Sequence, residues 1–302
     1  MTAPIISIRD EALPDQAGWR KTAEVEYDLS GLTARTPFSK SLLEKLTNSI
    51  VVVFGAGSGG GRISLNLAKA GVGRFRLVDP DILELHNIPR HVASLFHLGR
   101  NKADAVAELM LLSNPAVCVE WYPLDGFHPN SPVSPQALFA GADLVIAATD
   151  RTSAQLQVNE WAWRLGVPAV FGGCYEAALG GEVLFTLPGA GTPCLACLRA
   201  GMPQPERRGT FDYSQASTEA EYHGEPGLNA AVDLVSDIET QIALGVLLRG
   251  SDSELGRLIH PQINFLLIGG ALGTGYYRFR RPFHIFWQPL AGPRKDCPVC
   301  QG

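Results

Sequence analysis

Short apolar runs alternate with helix-like segments between residues 50 and 175 of the chain. The runs indicate strands at Ile50–Phe54, Phe75–Val78, Val117–Trp121, Leu144–Ala148 and Pro168–Phe171. Between the runs, apolar side chains recur at helical spacing in residues 61–70, 103–112 and 152–165. Strands that alternate with helices are typical of parallel crossover connections. The pattern therefore predicts an α/β fold with a mainly parallel sheet flanked by helices.

The pattern changes after residue 175. Further strands are indicated at Glu182–Leu187, Phe265–Ile268, Tyr276–Phe279 and His284–Trp287, with one long helix at Leu228–Leu248. The last three strands follow one another without helices, which predicts antiparallel C-terminal strands. We expect an N-terminal extension at residues 1–40 and one domain at residues 41–302, with halves at 48–175 and 176–302.

Composition and charge exclude several broad classes of protein. Of the 302 residues, 46% are hydrophobic and 18% are charged, which favours a packed core over extensive disorder. The net charge of -5 gives no reason to expect nucleic acid or an anionic membrane as a partner. No apolar run reaches the roughly 18 residues that span a bilayer, and residues 1–10 lack the features of a secretory signal. We therefore expect a cytoplasmic protein.

A glycine fingerprint follows the first of the strands after residue 48. Gly55, Gly57 and Gly60 form a G-x-G-x-x-G pattern between a strand and a helix, and Asp79 ends the next strand. In a Rossmann-like unit such glycines let phosphate approach the backbone at a helix N-terminus, and the acid accepts ribose hydroxyls. The fingerprint predicts an adenine nucleotide, but dehydrogenases, flavoproteins and ATP-using enzymes all share it.

Polar side chains after the fingerprint separate these possibilities. Asn87, Arg90 and Lys102 lie in or beside loops that face the glycine turn, and Asp150 follows the fourth strand. Cations suit a triphosphate and its developing charge, and a carboxylate suits Mg²⁺. We therefore take Arg90, Lys102 and Asp150 as candidate catalytic residues of an ATP·Mg²⁺ site. An NAD-dependent oxidoreductase, which has no use for a triphosphate clamp, is the alternative.

Four of the six cysteines form two C-x-x-C pairs, namely Cys194, Cys197, Cys297 and Cys300. Two such pairs complete a closed tetrahedral site, so they predict structural zinc (Zn²⁺) that clips the tail to the body. Cys118 lies in a strand and is interpreted as a core residue. Cys174 ends the fifth strand at the expected active-site face; it is a candidate reactive thiol or a small buried side chain.

Taken together, the motifs resemble those of the E1-like (ubiquitin-activating) superfamily, including the MoeB and ThiF adenylyltransferases. The resemblance covers about residues 40–300. It rests on the glycine fingerprint, Ala70-Gly71-Val72-Gly73, Asn87-Ile88-Pro89-Arg90, Gly99-Arg100-Asn101-Lys102, Thr149-Asp150 and the two cysteine pairs.

This resemblance implies ATP-dependent adenylation of the C-terminal glycine carboxylate of a ubiquitin-like or sulfur-carrier protein, commonly by a homodimer. It places Asp79 on the ribose, with Asn87, Arg90 and Lys102 on the phosphates and Asp150 on Mg²⁺. The segment Met202–Gly227 is the candidate loop that guides the partner's tail. It holds no cysteine, so a thioester on this chain would require Cys174. A ribosomal peptide or a tRNA-base carboxylate is the alternative substrate, and a catalytically silent scaffold is a third reading.

Overall fold

The computed structural model describes residues 5–8, 25–175, 178–200, 227–270 and 279–301. Its strands are β1 Ile5–Ile8, β2 Val25–Asp28, β3 Ile50–Phe54, β4 Arg74–Val78, β5 Cys118–Tyr122, β6 Leu144–Ala147, β7 Ala169–Cys174, β8 Gly180–Thr186, β9 Phe265–Gly269 and β10 His284–Trp287. Its α-helices are α1 Lys40–Asn48, α2 Ser58–Lys69, α3 Lys102–Ser113, α4 Pro135–Phe139, α5 Thr152–Arg164, α6 Leu195–Ala200, α7 Asn229–Leu248 and α8 Glu254–Arg257.

Eight of these strands form one sheet in the order β10-β9-β8-β7-β6-β3-β4-β5. The pairs from β7 through β5 are parallel, and those from β7 through β10 are antiparallel. The predicted parallel sheet with antiparallel C-terminal strands is confirmed. The chain runs from β3 outward to β5 and then returns to β6 on the other side of β3. In open α/β sheets, ligands bind in the crevice at such a reversal, beside the carboxyl ends of the strands.

Apolar residues on the two faces of the sheet pack into separate clusters. One cluster joins the sheet to α1, α2, α3 and α7, and the other joins it to α4, α5 and the C-terminal strands. The central strands bury both faces, and every residue of β6 is buried. This is why those strands are continuous apolar runs rather than alternating ones. None of the helices in the described residues is long and apolar enough to cross a membrane.

Three details differ from the sequence predictions. Cys118 is exposed, so its interpretation as a core residue was wrong; among the described strands, β5 lies at the edge of the sheet and pairs with β4 alone. The loop after β4 contains a 3-10 helix at Leu85–Arg90. Phe279 is outside any strand, while the rest of the strand expected at 276–279 falls outside the described residues, as does the segment 202–226. The division of the chain into two halves stays a prediction.

Candidate functional site at the carboxyl ends of the strands

Asp79 is held against the glycine turn. Its carboxylate accepts hydrogen bonds from the backbone N–H of Ala56 at 2.6 Å and of Asp81 at 2.8 Å, and only 5% of its surface is exposed. Burial raises the pKa of Asp79, whereas the nearby Lys102 ammonium opposes that rise. The acid predicted to bind ribose is therefore fixed by the backbone of the turn that is predicted to bind phosphate.

The three fingerprint glycines are required for different reasons. Gly55 has a φ of +94°, and a Cβ there would lie 2.6 Å from the carbonyl oxygen of Ala148. A Cβ on Gly60 would lie 1.8 Å from the carbonyl oxygen of Gly55. By contrast, a Cβ on Gly57 would meet nothing within 4 Å, and Gly57 is the N-cap of α2 without a side-chain cap. The open space therefore lies where a phosphate would approach the helix N-terminus.

Lys102 is tied to the end of β4. Its ammonium lies 2.8 Å from Asp81 Oδ2, and its backbone N–H donates to the carbonyl oxygen of Asp81 at 2.9 Å. The side chain of Asn101 caps α3 and donates to the carbonyl oxygens of Asp79 and Asp81 at 2.9 and 3.0 Å. Asn101, for which the sequence predicts no separate role, thus fixes Lys102 beside the glycine turn.

Asn87 and Arg90 lie on the 3-10 helix that follows β4. The Asn87 Oδ1 accepts from the backbone N–H of Glu84 at 2.9 Å, which leaves the amide NH₂ as the group available to an anion. Arg90 lies close enough to Cys174, at the end of β7, to oppose a rise in the pKa of that thiol. The loop after β4 therefore reaches across the carboxyl end of the sheet.

His91 supports the glycine turn from the same loop. Its Nδ1 accepts from the backbone N–H of Ala93 at 3.0 Å, so its Nε2 carries the hydrogen and donates to the carbonyl oxygen of Ala56 at 2.8 Å. Burial lowers the pKa of His91, which favours this neutral form. The sequence predicts no metal site at His91, because the spacing of His86, His91 and His97 suits a loop rather than a set of metal ligands.

Cys174 and Glu239 meet behind the end of β7. Although Cys174 is exposed, the protein packed around its thiol raises its pKa to about 11, and the Glu239 carboxyl adds to the rise. Glu239 is 3% exposed and occupies the space over Gly172, where a Cβ would lie 1.9 Å from Glu239 Oε2. Its Oε1 has no hydrogen-bond partner among the described residues, and burial raises its pKa to about 8. At neutral pH this carboxyl is therefore mostly protonated.

Asp150 is exposed between β6 and α5. Because β4, β3 and β6 are neighbours in the sheet, Asp79, the glycine turn and Asp150 lie at three adjacent carboxyl ends. The fold thus gathers the sequence-predicted residues on one edge. Their roles toward a ligand stay predictions.

The four paired cysteines converge in a single cluster, and their sulfur atoms lie within 4.8 Å of one another. Cys194 Sγ lies 3.9 Å from Cys197 Sγ and 3.6 Å from Cys297 Sγ, and Cys197 Sγ lies 3.4 Å from Cys300 Sγ. Four thiolates around one zinc ion at about 2.3 Å would be separated by about 3.8 Å. The donor set and its spacing therefore fit a closed zinc site that bridges α6 and the C-terminal segment.

A buried amide lies beside this cluster. Asn159 is 1% exposed, and its Nδ2 has no hydrogen-bond partner within normal distance among the described residues. Burial raises the pKa of the Cys194 thiol to about 11, and the Asn159 side chain opposes that rise. A metal-bound thiolate would give this amide the acceptor it lacks.

The fold, the glycine turn and the strand-end residues define an α/β protein with a Rossmann-like sheet and a four-cysteine cluster. The chain belongs to the ThiF family, whose model matches residues 31–265.

Curated relatives support the same assignment over part of their length. The chain is 35% identical over 167 residues to a sulfur carrier protein adenylyltransferase of Thermus thermophilus, an alignment that covers 54% of this chain and 59% of the relative. It is 33% identical over 162 residues to a SAMP-activating enzyme E1 of Haloferax volcanii, covering 53% and 57%. The chain thus spans less than two thirds of the length of these relatives.

Solved structures match over more of the chain. The crystal structure of E. coli MccB with ATP superposes with a TM-score of 0.62 at 19% identity, and the match covers 86% of this chain and 69% of that one. A likeness at this identity establishes the fold.

Proposed function

We propose that this protein is an ATP-dependent adenylyltransferase that activates the C-terminal glycine carboxylate of a ubiquitin-like or sulfur-carrier protein. The observation that carries the proposal is the strand-end cluster of a ThiF-family chain: a buried Asp79 bound to the glycine turn, with Lys102 beside it. The curated relatives named as adenylyltransferases and as an E1 enzyme point to the same reaction.

In the proposed reaction, a carboxylate oxygen of the partner attacks the α-phosphorus of ATP. A bond forms between that oxygen and phosphorus, the bond between the α-phosphorus and its bridging oxygen breaks, and pyrophosphate leaves. Mg²⁺, held by Asp150, would neutralise phosphate charge. The protein's own task is alignment and stabilisation of charge, since no proton has to be moved for the attack.

The chain's residues take distinct parts in this alignment. Asp79 accepts ribose hydroxyls, and Gly57 leaves room for phosphate at the start of α2. Asn87 and Arg90 contact phosphate from the loop after β4. Lys102 is paired with Asp81 at 2.8 Å, so the phosphates have to share its ammonium with that exposed carboxylate.

A covalent thioester on Cys174 is disfavoured. A thiol is nucleophilic as its thiolate, and the pKa of about 11 leaves roughly one part in a thousand ionised at pH 8. We therefore assign to this chain the adenylation step without a thioester on Cys174. The NAD-dependent alternative gains no support, because hydride transfer has no use for the triphosphate clamp that Arg90, Lys102 and Asp150 would form.

We further propose that the protein is a homodimer. Ile82, Leu85, Leu95, Phe96 and Leu98 are apolar and exposed, Phe96 over 96% of its surface, and they flank the loop that carries Arg90. A second copy would cover this surface next to the nucleotide site. Phe96→Asp should convert a dimer to a monomer in light scattering; a wild-type monomer at micromolar concentration would contradict the proposal.

Pyrophosphate exchange into ATP tests the adenylation reaction. Exchange should require a carrier protein that ends in a free glycine carboxylate and should be absent with the same carrier shortened by that glycine. Arg90→Ala and Asp150→Asn should each lower exchange by about 100-fold or more. Arg74→Ala is the matched control, because Arg74 is exposed at the opposite end of β4. Exchange that needs no carrier, or that persists in both site variants, would refute the proposal.

A further inference from the structure

Helix α5 connects the strand ends to the four-cysteine cluster through two buried amides on one face. Gln155 Nε2 donates to the carbonyl oxygens of Thr149 at 2.9 Å and of Gly172 at 3.0 Å. One turn later, Asn159 Oδ1 accepts from the backbone N–H of Leu195 at 2.9 Å. Residues four apart lie on the same side of a helix, so one face of α5 contacts both the strand ends and the backbone beside Cys194.

Two of these hydrogen bonds, those to Thr149 and Leu195, end next to a candidate metal ligand. Thr149 precedes Asp150, the candidate Mg²⁺ ligand, and Leu195 follows Cys194, a candidate zinc ligand. Gln155 is 6% exposed and Asn159 is 1% exposed, so water has little access to their hydrogen bonds. A displacement of the cysteine cluster would therefore be transmitted to the end of β6.

A second route leads from the same cluster to the end of β7. Arg199 lies two residues after Cys197, and its Nη1 lies 2.6 Å from Glu182 Oε1. The other Glu182 oxygen accepts from the Tyr175 hydroxyl at 3.0 Å, and Glu182 is paired with Gly173 across β8 and β7. Both cysteines of the first pair thus connect to strand ends at the candidate site.

We propose that metal binding at the four cysteines and nucleotide binding at the strand ends are energetically coupled, with Gln155 and Asn159 as the positioning residues. The proposal rests on the proposed function, because it requires ATP to bind beside Asp150. Under this proposal, zinc does more than hold the C-terminal segment against the rest of the domain. Coupling of binding free energies is reciprocal: zinc tightens nucleotide binding, and the nucleotide tightens zinc binding by the same factor through the route along α5.

Zinc release from the intact, zinc-loaded protein tests the coupling without an activity assay. Metal content is measured first, and we expect one zinc per chain. The zinc is then removed with a coloured chelator, with ATP·Mg²⁺ present or absent. At equilibrium, ATP should raise the affinity of the protein for zinc by about fivefold or more, and GTP·Mg²⁺ controls for zinc that nucleotides bind in solution. Conversely, stripping zinc should weaken ATP binding by a similar factor in calorimetry.

Gln155→Ala and Gln157→Ala form a matched pair on α5, because Gln157 is exposed. Gln155→Ala should retain zinc but lose most of the protection by ATP, whereas Gln157→Ala should behave as the wild type. If Gln155→Ala does not fold, Tyr175→Phe, which removes one hydroxyl from the second route, should give a partial loss of protection.

The outcomes separate this proposal from the proposed function. If wild-type protein binds ATP but zinc release is unaffected by it, the coupling is wrong and the ATP site stands. If the wild type does not bind ATP, both are wrong. If Gln155→Ala keeps full protection, the route through α5 is wrong.

Discussion

Replacing Glu239 with Gln should change how the stability of the protein depends on pH. Glu239 lies under the end of β7 with almost no exposed surface, and burial raises its pKa from 4.5 to about 8. In the unfolded chain the same carboxyl is solvated and loses its proton near pH 4.5. Folding therefore requires Glu239 to hold a proton throughout the interval between these two values.

The size of the effect follows from linkage. Between pH 4.5 and 8 the folded protein binds one proton more than the unfolded chain at this position, so the free energy of unfolding falls as pH rises. The slope is about 1.4 kcal/mol per pH unit, which gives a loss on the order of 3 kcal/mol between pH 5 and 7. Gln has a similar shape and no proton to lose, so Glu239→Gln should lack this loss.

Urea denaturation at pH 5, 6 and 7 measures the effect. The difference in unfolding free energy between Glu239→Gln and wild type should shift in favour of the variant by about 1.4 kcal/mol for each pH unit. Any cost of burying the amide shifts the whole curve without changing its slope. Glu160→Gln, on the exposed side of α5, controls for the loss of an ordinary carboxylate. Parallel curves for Glu239→Gln and wild type would refute the reasoning.

Two further outcomes are expected. Gly57→Ala should leave the melting temperature unchanged and weaken ATP binding in calorimetry, because the added Cβ enters the open space where phosphate would lie. Gly60→Ala should lower the melting temperature, because the added Cβ would overlap the backbone of Gly55. Equal melting temperatures for the two variants would contradict this expectation. In the zinc-loaded protein, iodoacetamide at pH 8 should modify exposed Cys118 well before Cys174, whose thiol is almost entirely protonated; peptide mapping that finds Cys174 modified first would contradict it.

The local pattern of apolar residues was sufficient to predict most strands of the sheet. Strand β3 has the bounds expected from its apolar run, because a buried parallel strand needs continuous apolar residues and the following glycine ends it. The convergence of Cys194 with Cys297, 103 residues apart, was predictable for a different reason: each C-x-x-C pair supplies only half of a tetrahedral site, so two pairs predict a shared ion.

Other features depend on contacts that the sequence does not display. Glu239 lies on the buried face of α7 with Ser236 and Thr240, and the space it occupies is left by the absence of a side chain on Gly172, which is remote in sequence. Cys118 has apolar neighbours yet is exposed, because its strand lies at the sheet edge. His91 is fixed by a carbonyl of the glycine turn. In each case the partner is set by tertiary packing rather than by spacing.

The glycine fingerprint itself combines two requirements that sequence cannot separate. Gly55 and Gly60 lack side chains because the turn, β6 and α2 pack too closely to admit one, and this would hold for the fold with any nucleotide or with none. Only Gly57 faces open space, so only this glycine is explained by a ligand. The choice among nucleotides and reactions therefore falls to residues on the following loops, where Asn101 fixes Lys102 and the loop after β4 carries Arg90 toward β7. Because binding and catalytic residues sit on loops that a sheet scaffold positions, one scaffold can support both hydride-transfer and adenylation chemistry, and the cations on these loops, Arg90 and Lys102, favour the second.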